Sequence, residues 1–127
     1  MCKTLIVEDN AAFRQSLKEI LTNKFPSMTI EEAADGNEAL KKIDNSLPDL
    51  IFMDIKLPGE NGLTLTKKIK ITNPKISIII LTSYNIPEYK KAAHNCGATY
   101  FIAKSSSTGK EITELVESIL SDINGNH

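Results

Sequence analysis

Short apolar runs alternate with longer stretches of helical periodicity along the 127-residue chain. The apolar runs have the length of β-strands, and in the stretches between them apolar residues recur every three or four positions, as on one face of a helix. The alternation repeats five times. The predicted strands are Lys3 to Val7, Met28 to Ala33, Leu50 to Asp54, Ser77 to Thr82 and Thr99 to Ala103.

The first, third and fourth predicted strands are nearly all apolar, which is typical of parallel strands covered on both faces. Alternating strands and helices therefore predict an α/β fold: a doubly wound (βα)5 sandwich of the flavodoxin-like type, with a five-stranded parallel sheet and helices on both faces. Thr108 and Glu111 are spaced as a capping box for the last helix. The predicted helix faces are Phe13, Leu17, Ile20 and Leu21; Ala39, Leu40 and Ile43; Leu63, Thr66 and Ile69; Tyr89, Ala92, Ala93 and Cys96; and Ile112, Leu115, Val116, Ile119 and Leu120.

The length and composition fit one compact domain. Apolar residues make up 41% and charged residues 24% of the chain, and the net charge is -1, so no direct contact with nucleic acid or an anionic membrane is expected. No apolar run is long enough to cross a bilayer and two cysteines lack metal-ligand spacing, which predicts a cytoplasmic location without disulfides. We expect residues 1–121 to form the domain and residues 122–127 to be a flexible tail or the start of a linker.

Polar residues collect where the predicted strands end. Glu8 and Asp9 follow the first strand, Asp54 ends the third, Thr82 ends the fourth, and Lys104 follows the fifth. In a doubly wound sheet, ligands bind outside the carboxyl ends of the strands. These five side chains therefore define the predicted site.

Three carboxylates in one cleft repel one another unless a cation neutralises them. An all-oxygen set suits Mg²⁺, whereas zinc would prefer His or Cys. Asp54 is the best placed nucleophile, and Lys104 and the metal could balance the charge on a transferring phosphoryl group while Thr82 donates its hydroxyl to it. Each residue alone has an ordinary explanation, such as helix capping by Asp9 with Asn10, but their combination at one edge favours chemistry.

Four segments carry a resemblance that covers nearly the whole chain: IVEDN, PDLIFMDIKLPGENG, LTS and GATYFIAK. Together they resemble the receiver domain of bacterial response regulators. The resemblance implies that Asp54 accepts a phosphoryl group from a sensor histidine kinase or a phosphotransfer protein, in a reaction that depends on Mg²⁺ or Mn²⁺. It also implies metal ligation by Glu8, Asp9, Asp54 and the backbone carbonyl of Lys56, and phosphoryl contacts from Thr82 and Lys104.

The resemblance further implies a switch made of Thr82 and an aromatic residue on the fifth strand, here Phe101, although plain core packing would also explain Phe101. Tyr100 should face the opposite side of the sheet. Ser105 stands where many receivers have proline, so no cis peptide bond is predicted there. Ser83 stands where alanine or glycine is common.

The LTSYNIPEY segment and the residues after Lys104 look most like receivers of regulators that carry a helix-turn-helix DNA-binding domain. Such a domain is not in this sequence. We expect the receiver itself not to contact DNA, which would be bound only by that separate output domain, and transcription is the expected output. A homodimer is compatible with the resemblance. The domain would assist its own phosphorylation and dephosphorylation but would not be an enzyme.

Three other functions on a similar fold fit the sequence less well. A phosphohydrolase with an aspartate nucleophile needs an acid two residues later, where this chain has Lys56. A flavin or nucleotide module needs free backbone amides in the first loop, where Glu8 and Asp9 would repel a phosphate. A docking module without phosphorylation would not need the complete set of polar residues.

Overall fold

The computed structural model describes residues 2–83, 87–105 and 107–123. Strands and helices alternate along the chain. The strands are β1 (Lys3–Val7), β2 (Thr29–Ala33), β3 (Leu50–Asp54), β4 (Lys56–Leu57), β5 (Glu60–Asn61), β6 (Ser77–Thr82) and β7 (Tyr100–Ala103). The helices are α1 (Ala11–Lys24), α2 (Gly36–Asn45), α3 (Gly62–Thr72), α4 (Pro87–Asn95) and α5 (Gly109–Ile123).

Five parallel strands form one sheet in the order β2-β1-β3-β6-β7. The predicted fold class is thereby confirmed, and the three nearly all-apolar strands are the three central ones. Strand order reverses between β1 and β3, because the chain first builds outward to β2 and then returns to the other side of β1. The carboxyl ends of β1 and β3 therefore flank the crevice in which doubly wound sheets bind ligands.

Helices cover both faces of the sheet, and each face has its own hydrophobic core. Alternate residues of the central strands point to opposite faces, so that Ile51 and Met53 belong to one core and Leu50 and Phe52 to the other. The first core is closed by α2, α3 and α4, and the second by α1 and α5. The buried helical residues are Ala39, Ile43, Leu65, Ile69 and Ala93 in the first core, and Leu17, Leu21, Ile112, Val116 and Ile119 in the second.

Most predicted boundaries agree with the structure. Three predicted strands have the observed limits, and the other two, β2 and β7, begin one residue later than predicted. The capping box is present, since the Glu111 amide donates to Thr108 Oγ1 and the Thr108 amide donates to Glu111 Oε1, both at 3.1 Å. The prediction omitted Leu65, which is fully buried on α3. Helix α5 continues to Ile123, past the predicted domain end at residue 121.

A short hairpin, in which β4 and β5 pair antiparallel directly after β3, was not predicted. Its turn is Pro58-Gly59, and Gly59 has a φ of 77°. Proline followed by a residue with positive φ is the signature of a type II turn, for which glycine is favoured. The hairpin carries Lys56, which is exposed, and Leu57, which is buried.

Across the three described ranges, every helix is too short or too polar to pass through a bilayer.

Candidate functional site

Backbone pairing at the ends of the strands brings the predicted site residues together. The Glu8 amide donates to the Ala33 carbonyl at 2.9 Å, and the Lys104 amide donates to the Thr82 carbonyl at 2.7 Å. The sheet hydrogen bonding therefore continues one residue past β1 and past β7. As a result, Glu8 and Lys104 start from fixed backbone positions next to the ends of β3 and β6.

The three predicted carboxylates form one cluster. One carboxylate oxygen each of Glu8, Asp9 and Asp54 lies within 4.8 Å of those of the other two. Glu8 and Asp54 are buried, with 0% and 5% of their surface exposed, whereas Asp9 is exposed. The prediction that these acids lie close together is confirmed.

Lys104 reaches two of these carboxylates. Its ammonium forms a close ion pair with Glu8 Oε1 and lies 3.4 Å from Asp54 Oδ1. The side chain of Lys104 is only 14% exposed. A cation so placed offsets part of the mutual repulsion of the acids.

These residues line an open cavity of about 250 Å³, which we call the acidic pocket. Thr82 ends β6 at its wall, with 2% of its surface exposed. Lys56 and the exposed Ser83 also border the cavity, so that all of the residues predicted to hold a metal or contact a phosphoryl group meet there. The complete lining is Glu8, Asp9, Asn10, Asp54, Lys56, Thr82, Ser83 and Lys104.

Burial raises the pKa of the Glu8 carboxyl above its ordinary value, and the negative charge of Asp54 adds to this effect. The Lys104 ammonium and a hydrogen bond from the Asn10 amide, at 3.0 Å from Glu8 Oε2, act in the opposite direction without cancelling it. Burial in this position therefore disfavours the charged form of Glu8 relative to water. Hard, oxygen-coordinating divalent cations suit such a set of donors.

Asn10, not Asp9, caps α1, since Asn10 Oδ1 accepts a hydrogen bond from the Phe13 amide at 3.0 Å. This outcome decides between the two interpretations of Asp9 left open by the sequence. Asp9 has no part in the cap, and its carboxylate belongs to the cluster in the acidic pocket.

Three residues that support the pocket were not predicted. Arg14 donates from Nη1 to the Glu8 carbonyl at 2.6 Å, the ring centroid of Phe13 lies 4.9 Å from Lys104 Nζ, and Gly62 packs against the backbone of Asp54. From the sequence, Phe13 is indistinguishable from the other apolar core positions of α1, and Arg14 from an ordinary charged surface residue. Of the three, only Gly62 gave a sign of its role in the sequence, because glycine is often required where two backbone segments approach closely.

Phe101 and Tyr100 face opposite sides of the sheet, as predicted. Phe101 packs against the core under α4 and Tyr100 against the core under α5, and both are half-buried. Phe101 also lines a groove of about 280 Å³ beside α4. No cis peptide bond occurs in the described ranges. Tyr84 to Ile86 of the LTSYNIPEY segment, and Ser106, lie outside the described residues.

Cys96 is half-buried, and its thiol lies 3.1 Å from the Ala93 carbonyl, to which it donates. Burial raises the pKa of this thiol. Because only the thiolate is a good nucleophile, the raised pKa disfavours a reactive thiol, and Cys96 packs against the core under α4.

The sequence profile described as the response regulator receiver domain matches residues 4–117. The chain belongs to this family. A receiver domain is the signalling module of two-component response regulators, and the acidic pocket at the ends of β1 and β3 is the place in this receiver domain where its chemistry is expected.

Individual relatives agree with the assignment. The oxygen regulatory protein NreC of Staphylococcus haemolyticus is 36% identical over 105 residues, which are 82% of this chain and 48% of that protein. A protein-glutamate methylesterase/protein-glutamine glutaminase of Methanosarcina acetivorans is 34% identical over 122 residues, covering 92% of this chain and 35% of that protein. The receiver domain thus spans at most about half the length of these relatives.

Solved structures agree as well. A two-component response regulator from Clostridium difficile superposes with a TM-score of 0.91 at 30% identity, covering 98% of this chain and all of that one. A CheY-like response regulator receiver domain protein from Methanospirillum hungatei gives a TM-score of 0.89 at 31% identity, covering 100% and 99% of the two chains.

Proposed function

We propose that Asp54 is the phosphoacceptor of this receiver domain, with a sensor histidine kinase or a phosphotransfer protein as the donor. The observation that carries the proposal is the acidic pocket, in which a buried aspartate at the end of a central strand lies 3.4 Å from a lysine ammonium. The cavity in front of Asp54 is open to solvent-borne donors. Phosphoryl transfer requires a positioned nucleophile and charge stabilisation more than covalent help from the protein, and both are supported here.

In the proposed reaction, a carboxylate oxygen of Asp54 forms a bond to phosphorus while the bond from phosphorus to the histidine nitrogen of the donor breaks. Lys104 stabilises the negative charge on the transferring oxygens. The Thr82 hydroxyl, buried at the wall of the pocket, donates a hydrogen bond to one of these oxygens. The domain assists its own phosphorylation and dephosphorylation but turns over no separate substrate, so we do not propose an enzyme.

The residues of the acidic pocket suit a divalent metal. Glu8, Asp9 and Asp54 offer carboxylate oxygens within 4.8 Å of one another, and Lys56 borders the same cavity with its backbone carbonyl as a further proposed ligand. Mg²⁺, or Mn²⁺ in its place, would supply positive charge for the phosphoryl oxygens. Zinc is disfavoured, since Glu8, Asp9 and Asp54 offer only oxygen.

The proposed response to phosphorylation is a shift in conformation carried by Thr82 and Phe101. Phosphorylation adds about 1.5 to 2 negative charges in front of Lys104 and Thr82 and would draw both inward. Phe101 is half-buried beside a groove large enough to hold a different position of its ring. The state with Phe101 turned inward would then be favoured, which changes the surface of α4 and β7.

We infer that this shift controls an output domain outside this sequence, with transcription as the proposed process. Support comes from relatives named as regulators, of which the receiver domain covers about half or less. DNA contact would be made by that domain, and homodimerisation through the receiver is a further proposal. A cytoplasmic location stays a prediction based on the two free cysteines.

Exposure to acetyl phosphate tests the phosphoacceptor. With Mg²⁺, the wild-type chain should gain the mass of one phosphoryl group in intact mass spectrometry, and without Mg²⁺ it should gain little. Asp54→Asn should gain none, because the amide is a poor nucleophile. Asp49→Asn is the matched control, since Asp49 lies just before the same strand and accepts a hydrogen bond from the Lys3 amide at 2.9 Å.

Phosphorylation of Asp54→Asn at the wild-type rate would refute the assignment of Asp54. Loss of phosphorylation in both Asp54→Asn and Asp49→Asn would point to general disturbance of β3 instead.

A further inference from the structure

Lys104 has to hold its ammonium at Asp54 although its side chain has four rotatable bonds, whose freedom is costly to restrict. Its backbone is anchored by the hydrogen bond to the Thr82 carbonyl, but this bond does not determine where the ammonium lies. The ion pairs with Glu8 and Asp54 do so only in part. Both carboxylates are proposed metal ligands, so their attraction for Lys104 depends on what else they bind.

The phenyl ring of Phe13 is a third contact of this ammonium. The distance of 4.9 Å from Lys104 Nζ to the ring centroid is within the range of cation–π attraction. The Lys104 ammonium contacts two carboxylates and this ring within the described residues, and the ring carries no charge. The attraction that the ring exerts therefore does not depend on the charge of either carboxylate.

Both the backbone and the side chain of Phe13 are held in place. Its amide donates to Asn10 Oδ1, the N-cap of α1, and its half-buried side chain packs against the core between α1, α5 and the sheet. That core includes Leu17, one turn further along α1. A ring anchored in this way is a rigid support and not a mobile surface group.

We propose that Phe13 is a positioning residue that holds the Lys104 ammonium at Asp54. Phe13 is not among the residues that line the acidic pocket, and it acts through Lys104. The consequence for phosphorylation rests on the proposed function, whereas the placement of the lysine does not.

The placement is tested by labelling the metal-free, unphosphorylated protein with a small amount of acetic anhydride and measuring each lysine by peptide mass spectrometry. The ring covers one side of the Lys104 amine and restrains it. Phe13→Leu and Phe13→Met, which keep an apolar side chain without a π face, should raise labelling of Lys104 roughly twofold to tenfold relative to the exposed Lys41. Phe13→Tyr retains the π face and should label like wild type.

Phe25→Leu is the matched control. Phe25 is also half-buried, packs against the same core and lies at the other end of α1. Its replacement removes the same atoms without touching Lys104, so labelling of Lys104 should not change. Thermal unfolding followed by circular dichroism identifies any variant that is not folded, and the flexible side chain of Phe13→Met can fill the space left by the ring in more than one way.

Phe13→Leu and Phe13→Met should also be phosphorylated by acetyl phosphate more slowly than wild type, by roughly threefold to tenfold. Wild-type labelling of Lys104 in both Phe13→Leu and Phe13→Met, or an equal rise in Phe25→Leu, would overturn the inference. If the proposed function were wrong, Asp54→Asn would still be phosphorylated. The labelling of Lys104 does not depend on phosphorylation and would be unaffected by that outcome.

Discussion

The carbonyl of Asp54 lies so close to Gly62 that no larger residue fits there. A β-carbon built on Gly62 would be 1.9 Å from the Asp54 carbonyl oxygen. The Gly62 amide also donates to the Ile55 carbonyl at 2.7 Å, which closes the hairpin against the end of β3. At the scale of single residues, this contact helps to set the backbone position of the proposed phosphoacceptor.

We expect Gly62→Ala to lower the free energy of unfolding by roughly 1–3 kcal/mol, because the backbone of Asp54 or of α3 has to move to admit the methyl group. Urea unfolding measures this loss. Phosphorylation by acetyl phosphate should also be slower, since Asp54 moves with its backbone.

Gly109→Ala is the control for this prediction. Gly109 is likewise the first residue of its helix, but there the nearest atom to a new β-carbon is Ile20 Cδ1 at 3.6 Å, an ordinary contact. Its effect should stay within about 0.5 kcal/mol. Equal losses for the two variants would show that the contact with Asp54 has no special importance.

The residues of the site divide clearly into predictable and unpredictable ones. Asp54 and Lys104 could be found from sequence because each directly follows an apolar run whose end is easily recognised. Phe13 could not, because its spacing is that of any core residue of α1. Its contact with Lys104 joins residues 91 positions apart (104 − 13), and periodicity carries no information on such pairs.

At the scale of elements, α1 is tied to the edge strand β2 by a group of charges around Glu32. Arg14 Nε lies 3.0 Å from Glu32 Oε1 and Lys18 Nζ lies 3.2 Å from Glu32 Oε2. Arg14 also donates to the Glu8 carbonyl, so the same group of charges supports the loop that carries the acids of the pocket. Charged residues on an edge strand also oppose pairing with another sheet.

This group of charges predicts a pH dependence. Desolvation raises the pKa of Glu32, but hydrogen bonds and charge from Lys18 and Arg14 outweigh it, so the pKa lies below the ordinary value of 4.5. A carboxyl with a lowered pKa in the folded state stabilises the protein above its unfolded pKa, and this contribution is lost as the pH falls through the folded value.

We therefore expect Glu32→Gln to reduce the free energy of unfolding at pH 7 by about 0.5–1 kcal/mol, with the difference from wild type disappearing at pH values well below 4.5. Urea unfolding at several pH values measures it. Glu19→Gln is the control: it removes an exposed carboxylate of α1 that accepts a hydrogen bond from Gln15, and it should cost less stability at pH 7 than Glu32→Gln. A constant deficit of Glu32→Gln at every pH would contradict this explanation.

At the scale of the whole molecule, the acidic pocket lies where the strand order reverses, between β1 and β3. Both strands are central and buried, so Glu8 and Asp54 are presented from rigid positions.

The C-terminal limit of the packed domain lies near the end of α5. Helix α5 continues to Ile123, but its last fully packed residue is Ile119, which is 2% exposed, whereas Ile123 is 37% exposed.

Ending the chain after Ser121 should change the free energy of unfolding by no more than about 0.5 kcal/mol, because Asp122 and Ile123, the described residues that are removed, are exposed. Ending it after Ser118 removes Ile119 and Leu120 and should cost about 2–5 kcal/mol. Thermal and urea unfolding of the two truncated chains compare them. A large loss on truncation after Ser121 would show that the domain extends beyond residue 121.

The sequence by itself determined the fold class, most strand limits and the identity of the polar residues at the strand ends. These features follow from burial of apolar side chains, which imposes a local period that can be read along the chain. The tertiary structure alone decided that Asn10 and not Asp9 caps α1, that Phe13 faces Lys104, and that Gly62 packs on Asp54. The contact between Phe13 and Lys104 depends on strand order, which places α1 beside the end of β7. The cap and the Gly62 contact are closer in sequence, but they depend on the exact backbone path of a loop, which the period of apolar residues does not encode.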